Sequence, residues 1–260
     1  FSSILGFYIG KTFGNIFRKK KSIIENLKKS KISIKISEDK FVDNVLGNYG
    51  RILAEYPFLK DFREEKLQQF FKIEGIGNLN EIKKNNKPVV FISGHFNNFE
   101  LMAMQIEKCG VDLAAIYRPL NNIYLNKTME KIRTNYICRN QIRKGRSGTR
   151  QILEHLKRNN SIALMIDQRV TEGIKINFFG NMASTTTIPA QIIKKYKCDL
   201  VPIYIERSQK YFFTMYVSKP IVINVEKSQE EISEHLNKIL EKMILKNPDQ
   251  WIWTHNRWKK

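Results

Sequence analysis

A histidine and a carboxylate, His95 and Glu100, follow the apolar run Pro88-Val89-Val90-Phe91-Ile92-Ser93-Gly94. A neutral imidazole placed this way can take a proton from an attacking hydroxyl. A nearby carboxylate can orient the ring and stabilise the charge it acquires. The pairing requires His95 in a turn after a strand and Glu100 in the first turn of the next helix, with Asn97 or Asn98 as N-cap. The competing reading is a capping box, Asn97-x-x-Glu100, in which Glu100 only closes the helix.

Two more apolar runs end in polar residues. Asp112 to Tyr117 is followed by Arg118-Pro119, and a guanidinium there would stabilise an oxyanion or hold an anionic substrate group. Ser161 to Ile166 is followed by Asp167-Gln168-Arg169. Ligands of parallel α/β sheets bind at the carboxyl ends of strands, so these three ends are expected to converge. Arg118, Asn98, Asp167, Gln168 and Arg169 are therefore candidate substrate contacts, with a turn cap as the alternative for Asp167. Phe179, in Phe178-Phe179-Gly180, is a candidate lining residue for an acyl groove, against the alternative of core packing. Arg139, Arg143, Lys144, Arg146, Arg150 and Lys157 crowd the intervening segment, as a patch for phosphate or an acidic protein or as a solvated face. The C-terminal run from Trp251 to Lys260 mixes tryptophans with cations, suiting either a bilayer interface or a segment docked on the core. His255 and Arg257 are its candidates for reaching the site.

The order of elements fits one α/β domain spanning 1–260, with a mostly parallel central sheet, flanking helices and a helical N-terminal region. Residues 1–85 read mostly as helices. Strands are expected at 88–93, 112–117, 161–166, 200–206, 211–217 and 221–225. Helices are expected at 98–108, 122–137, 147–158 and 188–196, and the stripe Ile232, Leu236, Ile239, Leu240, Met243, Ile244 marks another.

The 260-residue chain is 42% hydrophobic, enough for a substantial core, and carries a formal charge of +20. Such a charge favours anionic partners, whether nucleic acid, an acidic protein, phosphorylated lipid or an anionic membrane. Cys109, Cys138 and Cys198 form no paired motif, and the four histidines form no zinc-protease motif, so neither a disulfide framework nor a metal site is expected. The three widely spaced cysteines fit a reducing, cytoplasm-facing compartment. Phe1 to Phe17 is apolar but short for a bilayer span, and Arg18-Lys19-Lys20-Lys21 follows it. Residues 1–21 are read as a membrane-proximal helix, and the start at Phe1 rather than Met as an incomplete anchor. A buried helix with a solvated basic turn is the alternative.

The motifs together resemble the lipid A biosynthesis acyltransferases, the HtrB family of lauroyl and myristoyl transferases within the lysophospholipid acyltransferase-like superfamily. The resemblance rests on His95-Phe96-Asn97-Asn98-Phe99-Glu100, Tyr117-Arg118-Pro119, Asp167-Gln168, Phe178-Phe179-Gly180 and the run Pro248 to Arg257, in family order, with Glu25-Asn26-Leu27 as an early landmark. Asn97 stands where the family usually has glycine, and Phe99 where it has tryptophan. The resemblance implies a glycerol-3-phosphate acyltransferase-like fold and an acyltransferase needing no cofactor. It implies transfer from acyl carrier protein, or another acyl thioester donor, to a hydroxyl of a phosphorylated glycolipid at the cytoplasmic face of a bacterial inner membrane. His95 would be the base, Glu100 its orienting carboxylate, and Arg118 the oxyanion or anion contact. Acylation of another glycolipid or a lysophospholipid is the alternative. A nucleic-acid-binding protein is disfavoured because no binding motif accompanies the charge.

Overall fold

Five neighbouring strands run parallel, and the chemistry-bearing residues sit at their carboxyl ends. The computed structural model describes residues 2–259, with the side chain of Arg146, Phe1 and Lys260 outside that description. Three helices come first: α1 (Ser2–Phe17), α2 (Lys20–Ser30) and α3 (Glu38–Glu55). After α4 (Leu59–Arg63) come β1 (Phe71–Glu74), α5 (Ile76–Asn85), β2 (Val89–Ser93), α6 (Glu100–Lys108) and β3 (Leu113–Tyr117). Next are α7 (Ile123–Ile132), β4 (Asn140–Arg143), α8 (Arg146–Lys157), β5 (Ser161–Met165), β6 (Ile174–Phe178) and β7 (Asn181–Thr185). The chain ends with α9 (Ile188–Tyr196), β8 (Asp199–Gln209), β9 (Phe212–Val217) and α10 (Gln229–Lys246), followed by an irregular C-terminal segment.

The central sheet has the order β1-β9-β8-β2-β5-β3-β4. The strands from β8 to β4 are mutually parallel, β9 is antiparallel to β8, and β6 and β7 form a separate hairpin. The fold is thus α/β with a mostly parallel sheet. Strand β2 lies at the centre of its order and every residue in it is buried, as its unbroken apolar run requires. Helix α10 starts with a full capping box, Ser228 with Glu231.

Several expectations change. Residues 71–74 form a strand within the segment read as helical, because they pair with β9, far along the chain. The basic segment contains β4, and Phe178-Phe179-Gly180 is the tip of the β6–β7 hairpin. Ile221 to Val225 makes only an isolated bridge from Ile221 to Leu200. The helix expected over 122–137 ends as α at Ile132 and continues as one π turn, Arg133–Ile137. The basic run splits the N-terminal helix expected over 1–21: α1 stops at Phe17 and α2 restarts at Lys20. Among the described residues, no helix is long and apolar enough to cross a membrane.

Helix α1 is seated on α3 by glycines. A Cβ on Gly50 would collide with the backbone of Gly6 and Gly10, so only glycine allows this approach. The far face of α1 leaves Tyr8, Ile9, Phe13, Ile16 and Phe17 exposed.

Candidate active site

His95 lies two residues beyond β2, half-buried, and its ring faces a carboxylate supplied by a different strand end. Its Nδ1 is 2.7 Å from Oδ1 of Asp167, which follows β5, the neighbour of β2 in the sheet. The second oxygen, Oδ2, accepts the backbone N–H of His95 at 2.8 Å and the indole N–H of Trp251 at 2.9 Å. Asp167 is 1% exposed. Burial alone would raise its affinity for a proton, but the charge of His95 and hydrogen bonds from His95 and Trp251 outweigh it, leaving it below the ordinary carboxylate range. At His95 burial works against the imidazolium. The charge and hydrogen bond of Asp167, with the charge of Glu100, prevail, so the imidazole holds a proton more strongly than an ordinary histidine. An ionised Asp167 has no proton to give, so Nδ1 carries the hydrogen and the neutral ring presents Nε2 as the base.

Glu100 is not the carboxylate bonded to His95, contrary to the sequence expectation. Its Oε1 accepts from Nε and a terminal nitrogen of Arg133, at 2.9 and 2.5 Å, and from the Tyr56 hydroxyl at 2.5 Å. The capping reading also fails. The N-cap of α6 is Phe99, which makes no side-chain capping bond. The π turn that begins at Arg133 follows α7, and this guanidinium reaches Glu100 across the site. Glu100 still bears on His95, through its charge rather than a hydrogen bond.

The His95 turn accommodates both residues that depart from the pattern it resembles. Asn97 has φ of 42°, a left-handed conformation that glycine adopts freely and that asparagine tolerates better than most residues. Its side-chain amide donates to Gln250 at 2.5 Å. Phe99 meets the His95 ring edge to face, with centroids 4.6 Å apart.

His95 opens into a cavity of about 480 Å³, an ordinary size for a ligand site. Its lining combines cations and polar groups, Arg18, Arg118, Lys144, Gln168 and Arg169, with apolar side chains, among them Met102, Ala103, Ile106, Ala115 and Ile137. The backbone N–H of Lys144 bonds to the carbonyl of Tyr117, bringing the ends of β3 and β4 together. Desolvation and then the like charge of Arg118 lower the proton affinity of Lys144, while Glu172 opposes them.

The convergence expected for Arg118, Gln168 and Arg169 is therefore present. Three other candidate contacts lie elsewhere. Asp167 holds His95 and is too buried to meet substrate. Asn98 is fully buried and donates to Glu55, which also pairs with Arg207 at 2.7 Å. Phe179 sits at the hairpin tip, where its N–H donates to Glu241 and its ring packs on Phe178. Asn98 and Phe179 lie outside the cavity, the one held by Glu55 of α3 and the other packed at the hairpin tip.

The C-terminal segment docks on the core and braces the site. Besides the Trp251 bond, Nε2 of His255 accepts the backbone N–H of Arg169 at 2.9 Å, and Arg257, fully buried, donates to Ser184 and Thr185. Asn26, in the early landmark, donates to the carbonyls of Trp253 and His255. Residues missed by sequence reasoning are Arg133, Tyr56 and Trp251 in its role on Asp167. Arg133 had a readable signal, a charge beside Ile132, Tyr136 and Ile137 in an apolar pattern. Tyr56 had none.

The family described as bacterial lipid A biosynthesis acyltransferase matches residues 4–260. A lipid A biosynthesis palmitoleoyltransferase of Escherichia coli (strain K12) is 24% identical over 225 residues, covering 85% of this chain and 72% of that protein. A lipid A biosynthesis myristoyltransferase of the same strain is 20% identical over 215 residues, covering 82% and 66%. Among solved structures, the 1-acyl-sn-glycerophosphate (LPA) acyltransferase PlsC from Thermotoga maritima aligns with 96% of each chain at 13% identity and a TM-score of 0.46.

Proposed function

The chain belongs to the bacterial lipid A biosynthesis acyltransferase family and is an acyltransferase, and we propose that it moves a fatty acyl group from an acyl carrier protein thioester to a hydroxyl of a phosphorylated lipid A precursor. The observation that carries this reading is the free Nε2 edge of His95, opening on a cavity lined by both cations and apolar side chains. The cations suit a phosphorylated acceptor and the apolar lining an acyl chain.

In the proposed reaction, Nε2 of His95 removes the proton from the acceptor hydroxyl as its oxygen attacks the thioester carbonyl. Asp167 keeps the ring in the required tautomer and stabilises the imidazolium. When the tetrahedral intermediate collapses, the carbon–sulfur bond breaks and the proton on His95 passes to the leaving thiolate. The acyl group goes directly to the acceptor, so no nucleophilic serine is required. Glu100 holds Arg133 at the cavity wall and adds negative potential at His95. Arg118 is assigned to the oxyanion or the acceptor phosphate, with Lys144 beside it. The charge of +20 supports an acidic carrier protein, an anionic acceptor and work on the cytoplasmic face of the inner membrane.

The test is mass spectrometry of products from purified protein and a panel of acyl-carrier-protein thioesters. The panel is offered separately to a phosphorylated lipid A precursor, another glycolipid and a lysophospholipid. Acylation of the lipid A precursor, lost in His95→Ala, is expected. Product only with a lysophospholipid or the other glycolipid would replace the acceptor, and product only with coenzyme A thioesters would replace the donor.

A further inference from the structure

Helix α7 stands apart from the rest of the fold because it buries no residue at all. Each of the other α-helices buries at least two residues. Its first turn presents three consecutive large apolar side chains to solvent: Ile123 is 66% exposed, Tyr124 77% and Leu125 59%. The turn is nevertheless well made. Asn122 caps it, accepting from the N–H groups of Tyr124 and Leu125, and Asn126 accepts the N–H of Leu120. An ordered helix tip that displays its apolar side chains is built to meet something apolar.

Its position identifies the occupant. Leu120 and Asn121, immediately before the helix, line the mouth of the cavity. So does Arg18, immediately after α1, whose last residues Ile16 and Phe17 are 74% and 81% exposed. Two apolar surfaces, distant in sequence, thus flank one opening. Both are followed by cations: Lys127 and Lys131 on α7 are exposed, as are Lys19 and Lys21 beyond α1. Apolar side chains with a tyrosine, bordered by lysines, match the boundary between acyl chains and anionic headgroups.

We infer that the tip of α7, Ile123 to Leu125, inserts into an anionic lipid bilayer and seats the cavity mouth on it, so that a bilayer-resident acceptor enters between this tip and α1. The inference rests on the acyl-transfer reading for its purpose, but the contact with lipid can be measured without any turnover.

The experiment compares the parent protein with Ile123→Glu/Leu125→Glu in two assays. The first is binding to vesicles of phosphatidylcholine with a minority of phosphatidylglycerol. The second is acyl transfer to an acceptor in those vesicles and to the same acceptor dispersed in detergent. Vesicle binding should weaken roughly ten-fold or more in the double variant, since acidic side chains replace two that would be buried in lipid. Transfer to the vesicle-borne acceptor should fall in step, with transfer in detergent unchanged. Unaltered vesicle binding would overturn the inference, as would an equal loss of transfer with both acceptor forms, which would make the tip a wall of the cavity. If the variant loses self-association instead of vesicle binding, a second copy covers the tip and the inference also fails. Should the double variant not fold, Tyr124→Trp keeps the apolar character. Its added fluorescence should be quenched by brominated lipid, and absence of that quenching would overturn the inference. If no acceptor is acylated even by the parent, the acyl-transfer reading fails, while vesicle binding still judges the tip.

Discussion

The two ends of the site are built on opposite principles. Around Asp167 every atom is committed: Oδ1 meets Nδ1 of His95, and Oδ2 accepts both the His95 N–H and the Trp251 indole. The C-terminal segment closes over this end, with Gln250 gripping Asn97 and Arg207. In α7 itself no side chain is buried, and the apolar tip stands in solvent. In the proposed reaction the His95 end needs a fixed ring orientation, which a buried and saturated carboxylate maintains. The proposed entry end would receive a long substrate, and side chains not wedged into a core leave room for one. Changes at the first end should therefore act on turnover, and changes at the second on substrate delivery.

The largest effect should come from His95→Ala, which removes the base. Transfer from a thioester donor should fall by about 10²- to 10⁴-fold, with the thermal transition followed by circular dichroism little moved. Full turnover in this variant would take the chemistry away from the saturated end altogether.

Asp167→Asn should lower kcat by about 10²-fold, since it disturbs both tautomer and charge. It also separates the charge of Asp167 from its shape. In the proposed reaction the neutral imidazole is the base, so activity should be lost as pH falls through the pKa of His95. That pKa lies above its ordinary value because Asp167 outweighs burial. Removing the charge should move the acid limb of the pH–rate profile to lower pH. An unmoved limb would mean that Asp167 does not govern His95.

Glu100→Gln should sharpen the distinction between the two carboxylates. Arg133 would remain nearly buried without its counter-ion, at a cost in stability of about 3 kcal/mol measurable by urea unfolding. Turnover should fall less than in Asp167→Asn. A greater loss of turnover than in Asp167→Asn would restore Glu100 as the principal partner of His95.

Toward the entry end the effects should be smaller and should appear in KM. Arg118→Lys should raise KM for a phosphorylated acceptor roughly ten-fold, because lysine lacks the planar two-pronged donor geometry. KM for an acceptor without phosphate should be unaffected, and unchanged kinetics with both would remove Arg118 from the site. Least affected should be Arg150→Glu, on the exposed outer surface of α8. A two- to three-fold rise in KM is expected for the carrier-protein donor only, from weakened charge attraction. The neighbouring Arg143 is a poorer probe, since Glu130 at 2.8 Å and the Tyr117 hydroxyl tie it to α7 and β3, whereas Arg150 pairs with Glu154 one turn along its own helix. An equal rise with a small thioester would mean that α8 does not dock the carrier.

Much of the fold was legible because local pattern and final environment agree. The unbroken run in β2, the stripe of α10 and the strand ends carrying Arg118 and Asp167 all lie where their periodicity puts them. Strands β1 and β4 were not legible, since each is short and owes its form to a partner strand: β9 for β1 and β3 for β4. Within the site, His95 was legible from the turn it occupies, and Arg118, Gln168 and Arg169 from their places after strands. Arg133 carried a faint signal, while the roles of Tyr56 and Trp251 carried none, because they depend on contacts between segments 44 and 84 residues apart.

The amino-acid sequence by itself determined the family, the parallel sheet and the place of His95 after its central strand, since each is written in local spacing and residue type. It also supplied two carboxylates for one histidine, and here sequence distance misleads. Glu100, five residues away, turns into Arg133 and Tyr56; Asp167, 72 residues away, arrives on the adjacent strand of the sheet. Only the tertiary structure could decide between them. Which carboxylate meets the imidazole depends on strand order and on the left-handed turn at Asn97, and neither is set by the separation along the chain.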